Sequence, residues 1–290
     1  MINGSIPALI TPFQDGKVDE ARFQRFVEWQ IAEGSNGLVP CGTTGESSTL
    51  SLEEHMRVVA LCVEAAARRV PVIAGAGSND TAAAIELAQA AKKAGADAVL
   101  LVAPYYNKPS QDGLAAHYTA INNAVDIPMV IYNVPSRTVV DISVETMGRL
   151  AKLSNVIGVK DASGDLTRVE RHREICGDAF IMLSGNDDIS VDFCQLGGAG
   201  CISVTANVAP KLCSQVQAAL RKGDMEAARD LDAKLSGLHR AVFIEPSPSP
   251  AKFACSLLDK CGEEVRLPLI PCSESAKGIV RAAMIQADLL

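Results

Sequence analysis

Eight short apolar runs, each followed by a longer amphipathic segment, are what most restrict the folds open to this chain of 290 residues. They are SIPALIT (5–11), NGLVPC (36–41), VPVIAG (70–75), DAVLLVA (97–103), IPMVIY (127–132), NVIGVK (155–160), FIMLS (180–184) and GCISV (200–204). Each run is continuously apolar rather than alternating, the pattern of parallel strands covered on both faces. The segments between them carry helical spacing. VDEARFQRFVEWQIAEG puts Phe23, Phe26, Val27 and Ile31 on one face and ends on Gly34. SLEEHMRVVALCVEAAARR opens on Ser51 with Glu53 and Glu54 in its first turn. NDTAAAIELAQAAKKAG opens on Asn, Asp and Thr and closes on lysines and a glycine, which matches the helix dipole at both ends.

Parallel strands joined by helices leave two architectures, an open doubly wound sheet or a closed barrel. Eight regular units within about 220 residues favour the α/β class and a (β/α)8 TIM barrel. An open dinucleotide-binding sheet would carry a glycine fingerprint after its first strand, and GSIPALITPFQDG has none. GAGSND (75–80) matches that fingerprint only in part, because Asp80 stands where its third glycine would be. It reads as a strand-to-helix turn. After Lys222 the βα rhythm stops, and 225–243, 249–262 and 273–290 read as three helices separated by the proline-rich IEPSPSP and RLPLIP. The expected organisation is a barrel over 1–222 and a three-helix C-terminal appendage over 223–290.

Composition excludes several classes. A net charge of −7 lacks the basic footprint of a nucleic-acid binder. No stretch approaches the 18 or so apolar residues of a membrane span. The start, MINGSIPALITPF, has no basic leader and carries Pro7 and Pro12, so a cytoplasmic protein is expected. The nine cysteines are odd in number, scattered and without C-x-x-C spacing, which reads as buried thiols in a reducing compartment. The four histidines lie far apart, and no metal-ligand spacing is present.

In a (β/α)8 barrel the chemistry sits at the C-terminal ends of the strands and in the loops behind them. There the sequence places CGTTGES (41–47), PYYNKPSQDG (104–113), NVPSRT (133–138) and SGNDD (184–188), with Tyr132 and Lys160 closing the fifth and sixth runs. Lys160 can be a solvated strand end, an ion-pair partner of Asp161, or an amine held for chemistry. In CGTTGES, glycines bracket Thr43 and Thr44. The loop is either an ordinary capped turn or a cradle whose N–H groups meet a carboxylate. Arg137 is a surface arginine or a bidentate carboxylate grip. Asp187 and Asp188 suit the start of a helix, and no catalysis is assigned to them. Tyr105 and Tyr106, side by side between prolines, are placed to cover a pocket or reach a neighbouring subunit.

GSIPALITPF, GTTGES, PYYNKPSQDG, YNVPSRT, GVKDASGD, LSGND and CISVTANVAP, in this order, closely resemble the dihydrodipicolinate synthase family of pyruvate-dependent class I aldolases. The resemblance extends through EPSPSPAKFA (245–254) and VRLPLIP (265–271). It implies that Lys160 forms a Schiff base with pyruvate and that Tyr132 transfers protons. Tyr132 would act through a hydroxyl relay with Thr44 and with Tyr106 donated across a dimer interface. It implies further that Thr43 helps hold the pyruvate carboxylate, that Arg137 receives the carboxylate of L-aspartate 4-semialdehyde, and that Gly185 and Ile202 match backbone positions lining the pyruvate site. The implied assembly is a homotetramer, a dimer of dimers, and the implied chemistry needs neither metal nor organic cofactor. Attack on a ketone requires a neutral amine, and a lysine at the barrel mouth is expected to be desolvated enough to supply one. The rival within the group is a sugar-acid aldolase like N-acetylneuraminate lyase. Arg137 favours the semialdehyde, because the sugar-acid enzymes bind a polyol there. From a different class, a nucleotide-binding or scaffolding barrel is disfavoured by the lack of a phosphate loop.

Family members inhibited by L-lysine bind it at the dimer interface. Ser47, His55, Asn79 and Tyr105 fit that effector set, but Leu52 stands where a histidine is expected and Ala83 where a glutamate is. Loss of a carboxylate facing an ammonium weakens binding by about 1–3 kcal/mol. The expected outcome of a steady-state assay is therefore weak or absent inhibition by L-lysine; inhibition at micromolar concentration would refute it.

Overall fold

The computed structural model describes residues 2–290. Nine strands occur: β1 (Gly4–Pro7), β2 (Phe13–Gln14), β3 (Lys17–Val18), β4 (Ile73–Gly75), β5 (Ala98–Val102), β6 (Met129–Asn133), β7 (Val156–Asp161), β8 (Ile181–Ser184) and β9 (Gly200–Ser203). β2 and β3 form a small antiparallel hairpin over the QDG turn, which the apolar runs do not foretell. The other seven make one parallel sheet in the order β1-β9-β8-β7-β6-β5-β4.

The eighth expected strand, 36–41, is the one correction to the sheet. It forms only two isolated parallel bridges, Ala8 to Val39 and Leu38 to Val72, yet these join β1 to β4 and close the barrel. Val39 N–H donates to the Pro7 carbonyl at 3.0 Å and Ile73 N–H to the Leu38 carbonyl at 2.8 Å. Pro7, Pro40 and Pro71 have no N–H to give, so the ladder along this seam is thinned.

Eight helices follow the barrel positions: α1 (Glu20–Ala32), α2 (Leu52–Ala66), α3 (Thr81–Ala94), α4 (Gln111–Ala124), α6 (Val144–Leu150), α7 (Thr167–Cys176), α8 (Ser190–Gln195) and α9 (Pro210–Lys222). An extra turn, α5 (Pro135–Thr138), lies in the loop after β6. The caps act as the sequence suggests. Ser51 and Glu54 form a reciprocal capping box on α2, and α3 runs from an Asp80 cap to Gly95 in the left-handed region.

Side chains alternate between two apolar layers. Ala98, Leu100, Val130, Tyr132, Leu183 and Ile202 fill the barrel interior. Val99, Leu101, Met129, Ile131 and Val159 point outward beneath the helices. Both layers are shut off from solvent, which is why the runs read as continuously apolar.

The C-terminal helices are α10 (Met225–Ala241), α11 (Ser249–Leu257) and α12 (Glu274–Gln286). α10 packs on α9 and α12, and Leu235, Leu238, Phe253 and Met284 join the same outer core as Phe23 and Leu9. Two charged contacts tie this region to the barrel mouth. Lys252 on α11 is fully buried; its Nζ sits 2.5 Å from Glu46 Oε1 in the GTTGES loop and donates to the Glu264 carbonyl at 2.7 Å. Arg266 grips both oxygens of Glu54 on α2 at 2.5 and 2.7 Å and also donates to the Thr49 and Gly16 carbonyls. Among the described residues no helix is long and apolar enough to cross a membrane.

The Arg266 grip holds the Glu54 carboxyl down to about 2, well under its ordinary 4.5. A depressed carboxylate contributes stability that is complete above its unfolded value and disappears as pH falls toward the folded one. Glu54→Gln should therefore lower the unfolding midpoint at pH 7, and the gap from the parent should close between about pH 4.5 and pH 2. Thermal scans across that range check it; a gap that does not depend on pH would refute the assignment.

Candidate active site

Strand register explains why a lysine and a tyrosine meet inside an apolar barrel. Tyr132 on β6 and Lys160 on β7 are register partners, and both fall on the inward-facing alternation. Lys160 is 6% exposed and Tyr132 7%, with the lysine Nζ 4.2 Å from the centre of the tyrosine ring. The amine packs against the face of the ring. On the far side, Gly185 directly follows β8. A Cβ there would stand 2.7 Å from the Ala162 Cβ and 3.1 Å from the Lys160 Cε. A Cβ at this position would therefore clash with Ala162 and press on the lysine stem.

Above this pair opens a cavity of about 610 Å³. Its lining joins Thr43, Thr44, Tyr132, Arg137, Lys160 and Gly185, drawn from five segments that the sequence separates by up to 142 positions (185 − 43). Thr44 is buried and Thr43 exposed, and a Thr11 hydroxyl bond to the Gly45 carbonyl at 2.7 Å braces their loop. Gly75 supports the same loop from below, since a Cβ there would lie 2.0 Å from the Cys41 carbonyl oxygen. Arg137 sits on α5 at the rim, exposed, where its planar fork can take an incoming carboxylate. An amine, two hydroxyls, a phenol and a guanidinium around one cavity suit a small keto acid and a second carboxylate-bearing reactant.

Ile202 does not line this cavity. It is fully buried on β9, paired with Ile6 inside the barrel. Tyr106 is outside as well: its side chain is 89% exposed, on backbone at φ +70°. Ser47, His55 and Tyr105 come together with Leu52 in a second cleft of about 470 Å³, which shares Thr43 and Arg137 with the first. Asn79 is not in that lining; its carbonyl accepts from Asn107 at 2.8 Å. His55 is already engaged, donating from Nε2 to the Gly75 carbonyl at 2.7 Å, and burial pulls its imidazole below the ordinary value.

Sequence reasoning passed over the cavity's other wall. His239 and Arg240, from the last turn of α10, line it with Asp187 and Asp188. Asp187 is buried and accepts from the Ser203 hydroxyl and from the N–H groups of Val204 and Thr205, at 2.9 and 3.2 Å. It therefore clamps the loop after β9 and does not act as a helix-dipole acid. His239 meets Thr205 Oγ1 at 2.8 Å and Asp232 at 3.2 Å. Burial pulls its imidazole down, but the Asp232 bond and nearby carboxylates leave it above the ordinary value. The signal for His239 was present, a histidine on the buried face of an amphipathic helix, but nothing local showed that this helix end overhangs the barrel.

Comparison with known proteins agrees with this geometry. The dihydrodipicolinate synthetase family model matches residues 1–287. The chain is 60% identical to a 4-hydroxy-tetrahydrodipicolinate synthase of Rhodospirillum centenum across 100% of both chains. It is 59% identical to one of Hyphomonas neptunium, over 100% of this chain and 99% of that one. A chloride-inhibited dihydrodipicolinate synthase of Acinetobacter baumannii, solved with pyruvate, superposes with a TM-score of 0.98 at 45% identity over 100% of each chain.

The close fit at Gly185 has a direct test. Gly185→Ala should cost about 1–3 kcal/mol in chemical denaturation. It should also displace the Lys160 side chain from the Tyr132 ring in a crystal structure. Unchanged stability with Lys160 in place would show that the space is not limiting.

Proposed function

The chain belongs to the dihydrodipicolinate synthetase family, and from that premise we propose that it condenses pyruvate with L-aspartate 4-semialdehyde through a Schiff base on Lys160. The product is 4-hydroxy-2,3,4,5-tetrahydrodipicolinate, at the entry to diaminopimelate and lysine biosynthesis. The observation that carries the reading is the register pair of a buried amine and a phenol under one cavity.

The Lys160 amine adds to the pyruvate C2 carbonyl, and loss of water gives an iminium. Thr43 and the N–H groups of its loop hold the carboxylate. The iminium withdraws electrons from the neighbouring methyl; a proton leaves C3, and the enamine attacks the aldehyde carbon of the second substrate. Arg137 holds that substrate's carboxylate. Its amine then attacks C2 and displaces the Lys160 nitrogen, which closes the ring and returns the enzyme. Tyr132 moves the protons at each stage, in reach of the Thr44 hydroxyl. Ile202 contributes only by shaping the floor of the barrel. No organic cofactor and no metal enters this scheme.

Tyr106 completes the hydroxyl relay from a second copy of the chain. Its exposure, with Tyr105 beside it and Leu52 at 45% exposed, supports an interface at this face and a homo-oligomer, a tetramer built as a dimer of dimers. Nine free thiols suit a cytoplasmic setting. Ser47, His55 and Tyr105 form a candidate effector cleft at the same face, with Asn79 outside its lining.

Borohydride reduction in the presence of pyruvate, followed by peptide mapping, should mark Lys160 alone. Lys160→Ala should abolish the label and cut turnover by roughly three orders of magnitude or more. Tyr132→Phe should lower kcat by about 10²–10⁴-fold. Arg137→Ala should leave pyruvate trapping intact while raising KM for the semialdehyde. A label on another side chain, or full turnover in Lys160→Ala, would overturn the mechanism.

A further inference from the structure

The residues that follow Tyr132 and Lys160 are joined to each other behind the sheet. Asn133 and Asp161 are themselves register partners, and alternation turns their side chains away from the cavity. Asn133 is fully buried; its Oδ1 accepts from the Ile142 N–H at 3.0 Å and its Nδ2 donates to Asp141 Oδ1 at 2.8 Å. Asp161 is 6% exposed; its Oδ1 accepts from the Ser163 N–H at 2.8 Å and hydroxyl at 2.5 Å, while Oδ2 faces the Arg168 Nε at 3.2 Å. Arg168, in the first turn of α7, is buried too. Its Nη1 donates to both oxygens of Asp141 at 2.9 Å, and Nη2 to the Ile142 carbonyl. The strand ladder closes the circuit, with Ala162 N–H donating to the Asn133 carbonyl at 2.9 Å. Asp161 also reaches the third wall of the site, its carbonyl accepting from the Gly185 N–H at 2.7 Å.

We propose that Arg168 and Asp141 are positioning residues that set the Lys160 amine against the Tyr132 phenol. The proposal rests on the reading in which those two groups carry the chemistry. A charge chain of this kind is a poor source of stability, because a buried ion pair barely recovers its desolvation and apolar packing does as well. What it supplies is fixed geometry. The guanidinium fork meets the Asp141 carboxylate, the Ile142 carbonyl and the Asp161 carboxylate at once, a task an ammonium cannot copy. It does so between the residue after Tyr132 and the residue after Lys160. His172, which packs here at 1% exposure, stays neutral: burial pulls its imidazole down to about 4, so it does not compete with Arg168 for the carboxylates. Lys160 and Tyr132 lean on each other across 4.2 Å without a hydrogen bond of their own to lock them. Their relative placement is inherited from the backbone beneath.

The test uses Asp141→Asn, Asp141→Glu and Arg168→Lys in the full-length enzyme. Asp141 is half exposed, and Asp141→Asn leaves the buried Arg168 facing Asp161 as its remaining carboxylate, so this milder change keeps the test open if the Arg168 variant does not fold. The readouts are kcat, KM for pyruvate, the rate of borohydride trapping, and the unfolding midpoint. Misplacement of reacting groups by an ångström costs on the order of 10²-fold. Arg168→Lys should approach that loss in kcat, and Asp141→Asn about a tenth of it. KM for pyruvate should stay within about twofold, and Asp141→Glu should recover more activity than Asp141→Asn. Folded variants with parental kcat and trapping rate, or losses that only follow the unfolded fraction, would overturn the positioning role. Failure of the parent enzyme to trap pyruvate at Lys160 would instead remove the catalytic reading, and this role with it.

Discussion

Side chains alternate along a strand with a period of two, and in this barrel that constraint decides what each strand end can do. Ile131 and Val159 are committed to the layer beneath the helices, so Tyr132 and Lys160 must face inward. The next step outward again delivers Asn133 and Asp161 to the back of the sheet. A slip of one residue in β7 would exchange the two roles, putting a carboxylate in the cavity and an amine under α7. The apolar residues around the site therefore place the amine as much as they bury it.

Much of this arrangement was legible in the chain itself, for a physical reason. Strands covered on both faces give unbroken apolar runs, and caps such as Ser51 with Glu54 act over three residues. Lys160, Tyr132, Thr43, Thr44, Arg137 and Gly185 could be gathered because the fold class puts strand ends at one pole. What escaped notice depended on contacts far apart in sequence. The prolines at 7, 40 and 71 look harmless singly, and only their alignment across neighbouring segments reduces the 36–41 run to isolated bridges. Asp187 reads as a helix-start acid until the loop after β9 folds onto it.

The C-terminal helices are bound into the site's supports. Lys252 sends a buried ammonium to Glu46, whose backbone is held at φ +55° beside the two threonines. Arg266 also donates its own N–H to Glu46 at 3.0 Å. α10 brings His239 and Arg240 over the rim. Two walls of the cavity thus belong to the barrel, and a third depends on residues that follow it in the chain.

The proline-thinned seam lies next to the threonine loop, while the lysine and tyrosine sit across the barrel in the ladder between β6 and β7, paired at five positions. Regular strand pairing is therefore concentrated where the amine and phenol sit, while the opposite side of the chamber is held by side-chain braces on the threonine loop.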